Sequence, residues 1–209
     1  MSWGDAKHVE YKDYNNKLRW ASYYHQIDEL VSLDPSSILE IGTGMGVLGA
    51  ILKNVMGMAF ESMDIYDDFK PDHIGSITDI PFPDASYDVV CSFQVLEHIP
   101  YEDFERALSE MFRVAKAAVI FSLPNASKKL RIHFSIKNIN IVINRWFSKK
   151  VKSKNHFWEI NLKGYKEKIV KKKIIEIAKK CGYEITKEYR VIENPFHHFF
   201  ILKRRNIRE

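Results

Sequence analysis

Residues 36–53, SSILEIGTGMGVLGAILK, join a short apolar run to an apolar helical pattern through glycines at three alternate positions. The apolar run predicts a buried strand that ends at Ile41, and VLGAILKNV predicts the helix that follows it. Glycine costs backbone entropy on folding, so placing Gly42, Gly44 and Gly46 together needs a reason. We interpret this turn as bare backbone against which a large ligand lies.

Strand and helix patterns alternate through most of the chain. Helical spacing occurs in residues 17–33, 47–55, 101–115 and 165–183, and apolar strand patterns occur in 38–41, 58–65, 88–96 and 117–124. This alternation predicts an α/β fold whose doubly wound sheet is mostly parallel. Residues 183–192 and 197–205 form two further strand patterns around a short turn, which predicts an antiparallel C-terminal β-hairpin at the sheet edge.

The composition is that of one ordinary globular domain. The chain has 209 residues, of which 45% are apolar, and its net charge of +5 allows an anionic partner without identifying one. We predict a single domain over 1–209, with an N-terminal helical segment at 1–34 and a lid-like insertion at 125–161. The two cysteines lie far apart, and no leader or transmembrane segment is evident, so we expect a cytoplasmic protein.

Two nucleotide-type ligands fit the glycine turn. Read as Gly44, Gly46 and Gly49, with Asp64 about 20 residues further on, the turn has the dinucleotide pattern of a nicotinamide-dependent oxidoreductase. Read from Gly42 at alternate spacing, the same turn fits S-adenosylmethionine instead. A third hypothesis is a non-catalytic nucleotide-binding module that uses the same fold.

Three observations favour S-adenosylmethionine. If the strand ends at Ile41, the glycine of the tight turn is Gly42, and dinucleotide spacing would then require a glycine where the chain has Val47. The carboxylate of Glu40 at the strand end would repel a pyrophosphate, yet it suits a cationic or ammonium-bearing ligand. The C-terminal hairpin is also unlike a plain dinucleotide-binding domain.

Three segments of the sequence resemble the motifs of class I S-adenosylmethionine-dependent methyltransferases. They are ILEIGTGMG at 38–46, MDI at 63–65 and SITDIPFPDASYDVVCSFQVLEHIP at 76–100. LRWASYYHQI, HFWEINLKGY and YRVIENPFHHFFILK are similar to a narrower group, the prokaryotic methyltransferase type 11-like domain proteins, whose substrates are undefined. The resemblance implies a seven-stranded Rossmann-like methyltransferase fold. It also implies methyl transfer that leaves S-adenosylhomocysteine as product, with no metal expected.

The resemblance also implies which residues bind the cofactor. In the family, the acidic residue after the second strand binds the ribose, so Asp64 would accept both ribose hydroxyls, and Gln94 and Val95 would lie near the methionine part. Asp79 would accept from the adenine amine, and Gln94 would lie near the transferred methyl. The full set is Glu40, Gly42, Thr43, Gly44, Gly46, Asp64, Ile65, Thr78, Asp79, Ile80 and Gln94.

Candidates for catalysis and acceptor binding come from short polar and aromatic stretches. In NHFWEI, His156 is a candidate general base, Glu159 would orient it, and Trp158 would stack on the substrate; a buried structural anchor is the alternative. In LEHIP, Glu97 and His98 are further candidate acid–base groups; the alternative, which we favour, is that the pair packs against the start of the next helix and caps it. Tyr24 would close over the ligand, although aromatic residues at helical spacing are more often core.

The insertion mixes lysine and arginine with isoleucine, phenylalanine and tryptophan. We interpret it as a substrate lid with a solvated lysine face, and we predict in-line transfer to a small-molecule, glycan or lipid-linked acceptor. The same composition suits peripheral contact with a membrane surface or with nucleic acid, of which nucleic acid is the less favoured partner. His197 and His198 lack a third ligand at a recognisable spacing, which argues against a metal there.

Overall fold

The computed structural model describes residues 16–136, 139–148 and 153–205, and between 128 and 148 it describes the course of the backbone. The first 15 residues of the expected N-terminal helical segment lie outside these ranges. Among the described residues, no helix combines the length and the apolar character that a bilayer-spanning helix needs.

The elements follow the predicted alternation. The helices are α1 (Lys17–Val31), α2 (Val47–Gly49, continued as a π-helix over Ala50–Val55), α3 (Phe104–Val114) and α4 (Glu167–Lys180). The strands are β1 (Ile38–Ile41), β2 (Phe60–Asp64), β3 (His73–Ile74), β4 (Tyr87–Phe93), β5 (Ala115–Pro124), β6 (Ser127–Ile136), β7 (Ile139–Ser148), β8 (Tyr183–Arg190) and β9 (His197–Arg204). Short 3₁₀ turns cover Asp67–Phe69, Leu96–His98 and Tyr101–Asp103.

Seven strands form one sheet in the order β3-β2-β1-β4-β5-β9-β8. The first five of these strands run parallel to their neighbours, and β9 runs antiparallel to both β5 and β8. The predicted fold is therefore confirmed: a doubly wound, mostly parallel seven-stranded sheet that ends in an antiparallel C-terminal hairpin. Because β1 and β4 are adjacent, their carboxyl ends open onto the same crevice at the topological switch point.

The sheet is buried on both faces. Along β5, Val119, Phe121 and Leu123 enter the core beneath α3 and α4, whereas Ala118 and Ile120 enter the core beneath α1 and α2. This two-sided burial explains the continuous apolar runs of the central strands. Burying each such side chain contributes about 1.5–3 kcal/mol, so the two cores fix the strand ends from which the functional groups project.

The insertion contains regular structure that we did not predict. Strands β6 and β7 pair antiparallel as a separate two-stranded sheet. The two ends of the insertion lie side by side, because Ile160 N donates to Pro124 O at 2.9 Å and Ala126 N donates to Ile160 O at 2.8 Å. The segment that follows the hairpin thus returns to the carboxyl end of β5.

Candidate active site

A cavity of about 680 Å³ lies at the carboxyl edge of the parallel strands. The ends of β1, β2 and β4 form its floor, the loop after β3 forms one wall, and residues 154–157 of the insertion form another. This volume is typical of a small-molecule or cofactor site. The sheet places the cavity at the switch point between β1 and β4, where ligands bind in open α/β sheets.

The glycine turn after β1 requires residues without side chains. Gly42 has φ +86°, and a β-carbon there would lie 2.2 Å from Val95 Cγ2. Gly44 and Gly46 also have positive φ, at +53° and +70°. Gly42 and Gly44 both line the cavity, so the turn presents backbone to its interior.

Asp64 ends β2 and is buried, with 8% of its surface exposed, where it lines the cavity. Its Oδ2 accepts from Thr43 N at 3.0 Å, and its Oδ1 accepts from Tyr66 N at 3.1 Å. These bonds orient the carboxylate and join β2 to the glycine turn. Because each carboxylate oxygen has two lone pairs, both oxygens can still accept a further hydrogen bond.

Two polar atoms beneath the turn are buried and unsatisfied. Glu40 Oε2 and Thr43 Oγ1 have no hydrogen-bond partner within the described part of the chain. Burial, together with the charge of Asp64, raises the pKa of Glu40 well above its usual range. Buried polar atoms of this kind are costly and mark sites where a ligand or water completes the bonding.

The loop after β3 lines the cavity through Gly75, Ser76 and Ile77. The expected adenine-binding residues follow directly, yet their side chains have other positions. Thr78 Oγ1 contacts Ser76 Oγ at 2.9 Å, the side chain of Asp79 is exposed, and Ile80 is buried in the core beneath α3. The part of this loop that lines the cavity is thus 75–77, directly before the residues 78–80 that we expect at the adenine.

Gln94 lies directly after β4 and lines the cavity. Its backbone has φ +60°, which is uncommon for a residue other than glycine. Its backbone N donates to Ser122 O at 3.1 Å, and its side-chain Nε2 donates to Ser122 Oγ at 3.2 Å. These two hydrogen bonds hold Gln94 in its strained conformation at the cavity.

The insertion packs residues 155–160 (NHFWEI) against residues 96–100 (LEHIP). Phe157 N donates to Glu97 O at 2.8 Å, and His98 Nδ1 lies 2.9 Å from Asn155 O. As a result the His98 and His156 rings meet edge to face at 4.8 Å, and both line the cavity. Of this stretch, residues 155–157 line the cavity.

Glu159 is fully buried and binds His156. Its Oε1 accepts from Ser153 N at 2.7 Å and lies 2.9 Å from His156 Nδ1. Burial alone would raise the pKa of Glu159, but the hydrogen bonds with His156 and Ser153 outweigh it and hold the pKa below its usual range. Burial lowers the pKa of His98 to about 4, and the adjacent His156 adds to this effect.

The two residues predicted to bind the substrate lie elsewhere. Trp158 is completely buried and packs against the rings of Tyr101, Phe104 and Tyr165. A ring enclosed on all sides offers no face to a ligand, so the structural alternative describes Trp158. Tyr24 is 66% exposed on α1 and does not line the cavity, so it does not cover a ligand there.

Several lining residues were missed from the sequence. Phe69, Lys154 and Asn155 lie in segments without periodicity, and only the aromatic or basic character of their neighbourhood was a signal. Glu97, which we expected either to act as an acid–base group or to pack, is fully buried, and neither carboxylate oxygen has a hydrogen-bond partner in residues 16–136 and 153–205. Burial raises the pKa of Glu97 to about 8.

Residues 39–123 match the family model described as a methyltransferase domain. A probable S-adenosylmethionine-dependent methyltransferase from Mycolicibacterium smegmatis is 34% identical over 110 residues, which cover 47% of this chain and 40% of that protein. Sterol methyltransferase-like 3 from Botryococcus braunii is 24% identical over 156 residues, covering 60% and 39% of the two chains. The chain thus spans well under half the length of these curated relatives.

Solved structures share the architecture. Magnesium protoporphyrin IX methyltransferase from Synechocystis PCC 6803, solved with bound SAM, superposes with a TM-score of 0.58 at 16% identity, over 90% of this chain and 80% of that one. The 1,6-didemethyltoxoflavin-N1-methyltransferase of Burkholderia thailandensis, solved with its substrate and S-adenosylhomocysteine, gives 0.60 at 11% identity, over 98% and 84%. At these identities the likeness is one of fold.

Proposed function

We propose that this chain, which carries a class I S-adenosylmethionine-dependent methyltransferase domain, transfers the methyl group of that cofactor to an acceptor bound in the same cavity. One observation carries the proposal: the glycine turn after β1 lies beneath Val95 and beside Asp64, at the floor of a cofactor-sized cavity. The comparisons give no support to a nicotinamide-dependent oxidoreductase or to a non-catalytic binding module.

The residues present fit this cofactor. The bare backbone at Gly42 and Gly44 leaves room for the methionine part, and Asp64 has acceptor capacity for the two ribose hydroxyls. The unsatisfied oxygens of Glu40 and Thr43 lie under the same turn and suit an ammonium-bearing ligand. For the adenine we assign residues 75–77 and Ile65, which line the cavity, in place of the side chains of residues 78–80.

In methyl transfer the main task of the protein is to align the acceptor with the methyl group. S-adenosylmethionine, when bound, supplies an electrophilic methyl group on its sulfonium. Gln94, Val95, Ile99 and Phe157 line the cavity, and we propose that they position the acceptor. Holding the acceptor in line with the methyl–sulfur bond contributes on the order of 7–11 kcal/mol to the rate.

Acceptor activation is assigned to the two histidines. His98, His156 and Gln94 all line the cavity, and we propose that the two histidines lie on the acceptor side of the transferred methyl. Glu159 acts through His156, because its contact with Nδ1 fixes the ring orientation. The arrangement suits an acceptor atom that carries a proton, such as a hydroxyl or an amine.

The acceptor that we propose is a small molecule, or a glycan or lipid-linked group small enough to enter the cavity. The apolar side chains Phe69, Ile99 and Phe157 suit a partly apolar acceptor, and Lys154 adds a cation at the insertion wall. The two neighbours described above act on small molecules by their names. Free thiols at Cys91 and Cys181 support a reducing compartment such as the cytoplasm.

Calorimetry with S-adenosylhomocysteine tests the cofactor assignment. We expect one-to-one binding by the full chain, at least tenfold weaker binding by Asp64→Asn, and no binding of NADH. Asp67→Asn is the matched control, because Asp67 is exposed and does not line the cavity. Equal affinities of Asp64→Asn and the unaltered chain, with both folded, would overturn the assignment. Methyl-labelled cofactor incubated with cell extract then identifies the acceptor by mass spectrometry.

A further inference from the structure

Glu97, His98 and His156 form a compact group on the acceptor side of the cavity. Each offers one ligand atom, and these atoms all lie within 4.8 Å of one another. The group is assembled by backbone contacts, since Phe157 N donates to Glu97 O and Asn155 O lies against His98 Nδ1. Both histidines line the cavity, so the group is open to a small ligand on that side.

Glu97 is the unexplained member of this group. Its side chain is completely buried, and in the described residues no donor reaches either carboxylate oxygen. The charged groups that face it are Glu159, which disfavours its ionised form, and Arg19 of α1, which favours it. An unsatisfied buried carboxyl group costs free energy and calls for a partner that completes its bonding, such as an ion.

Both imidazoles are oriented in the way that metal ligands are. His156 Nδ1 lies 2.9 Å from Glu159 Oε1, which directs Nε2 toward Glu97, at 4.0 Å from Oε1. His98 Nδ1 lies against a backbone carbonyl. Metal-binding histidines typically donate their second ring N–H to a carboxylate or a carbonyl, which fixes the tautomer. Ligand atoms around one ion lie roughly 3–4 Å apart, so the group needs to contract by about 1 Å.

We propose that Glu97, His98 and His156 bind one divalent transition-metal ion, which activates a hydroxyl group of the acceptor. Two imidazoles and one carboxylate suit Mn²⁺ or Zn²⁺ better than Ca²⁺ or Mg²⁺, which prefer oxygen ligands. The methyl donor itself needs no metal, so the ion would act on the acceptor alone.

This inference rests on the proposed function and deepens it. The acceptor hydroxyl would lose its proton to water, because a bound cation lowers the pKa of a coordinated hydroxyl. The oxygen then forms a bond to the methyl carbon, and the electron pair of the carbon–sulfur bond remains on sulfur as the neutral thioether. His98 and His156 would then act as ligands, and Glu159 as the positioning residue of His156.

Titration of the chelator-treated full chain with Mn²⁺, followed by electron paramagnetic resonance, tests the proposal. We expect one bound ion per chain, and at least tenfold weaker binding by Glu97→Gln and by His156→Gln. Glu188→Gln is the matched control, because Glu188 belongs to a second carboxylate–histidine group with Glu167 and His198, where the cations Lys171 and Arg190 already pair with the carboxylates.

The binding of S-adenosylhomocysteine separates the two proposals. Each variant should keep the affinity of the unaltered chain for that product, which also shows that it is folded. If the product binds but Mn²⁺ does not, or if Mn²⁺ binds equally to Glu97→Gln and His156→Gln, the ion is absent or adventitious and the metal site is overturned alone. If the product fails to bind to the unaltered chain, the proposed function is overturned.

Discussion

Gly42 and Val95 are packed so closely that a β-carbon on Gly42 would lie 2.2 Å from Val95 Cγ2. The contact joins the turn after β1 to the residue pair that follows β4, across the switch point of the sheet. Since both Gly42 and Val95 line the cavity, any side chain at position 42 must move a wall of the site.

Gly42→Ala should therefore weaken cofactor binding, because it adds a clash with Val95 to the strain of the backbone. A left-handed conformation costs a non-glycine residue about 1–2 kcal/mol, and Gly57→Ala has the same cost at φ +69° without a clash. We expect Gly42→Ala to bind S-adenosylhomocysteine at least tenfold more weakly by calorimetry, and Gly57→Ala to bind it normally. Adding Val95→Ala should restore part of the affinity. Equal binding by both glycine variants would contradict this relationship.

Trp158 should contribute to stability and not to ligand binding. It lies at the centre of an aromatic cluster and is completely buried, so Trp158→Ala should lower the free energy of unfolding by about 3–5 kcal/mol in urea titrations. Tyr24→Ala, at an exposed site, should change it by less than about 0.5 kcal/mol. If Trp158→Ala were as stable as the unaltered chain, the packing role would be wrong.

Asn161 should be the residue that fastens the end of the insertion to α4. Its Nδ2 donates to Asn125 Oδ1, Ser127 Oγ and Glu167 Oε2, its Oδ1 accepts from Glu167 N, and its φ is +68°. Asn161→Ala loses the hydrogen bonds and strains the backbone, so we expect a loss of about 2–3 kcal/mol in urea titrations. Asn161→Gly also loses the hydrogen bonds but removes the backbone strain, so it should be about 1 kcal/mol more stable than Asn161→Ala. Identical stabilities of the two variants would argue against the backbone contribution.

Acid should weaken the contact between α3 and α4 through Glu105. Hydrogen bonds from Lys173 and Lys180 lower the pKa of Glu105 to about 2. A carboxylate whose folded pKa is depressed stabilises the fold above its unfolded pKa, and this contribution is lost as the pH falls from about 4.5 to 2. We expect Glu105→Gln to lower the thermal midpoint by about 1–2 °C at pH 7. The effect is small because Glu105 and its two lysine partners are partly exposed, and it should disappear at pH 2.

Glu102→Gln is the control for this experiment, because it removes the same charge from an exposed position in the turn before α3. It should leave the midpoint unchanged at both pH values. A Glu105→Gln effect that persisted at pH 2 would mean that packing, and not charge, links the two helices.

The order of the central elements could be predicted because burial on both faces leaves a clear pattern. Strand β1 is apolar apart from Glu40, and α3 repeats apolar residues at helical intervals. The hairpin of β6 and β7 was missed although LRIHFSI and INIVINRWF carry many β-formers, because basic residues interrupt both runs. A hairpin outside the main sheet has no continuous core to impose such a pattern.

The floor of the site was easier to predict than its walls. Gly42, Asp64 and Gln94 lie at strand ends, where the fold determines their position. The loop that holds residues 75–80 has no periodicity, so the sequence did not indicate that residues 75–77 line the cavity. The meeting of Glu97 with His156 depends on how the insertion folds back, and no local pattern encodes such a long-range contact.

The neighbouring ends of the insertion have a consequence for how specificity can change. Because residues 124–126 and 160 hydrogen-bond to one another, the segment between them can be exchanged as a cassette without separating β5 from β9. Such a graft would replace the cavity wall at residues 154–157 and keep the floor at the ends of β1, β2 and β4. Proteins that share this floor can therefore diverge in acceptor by recombination at two points that lie side by side.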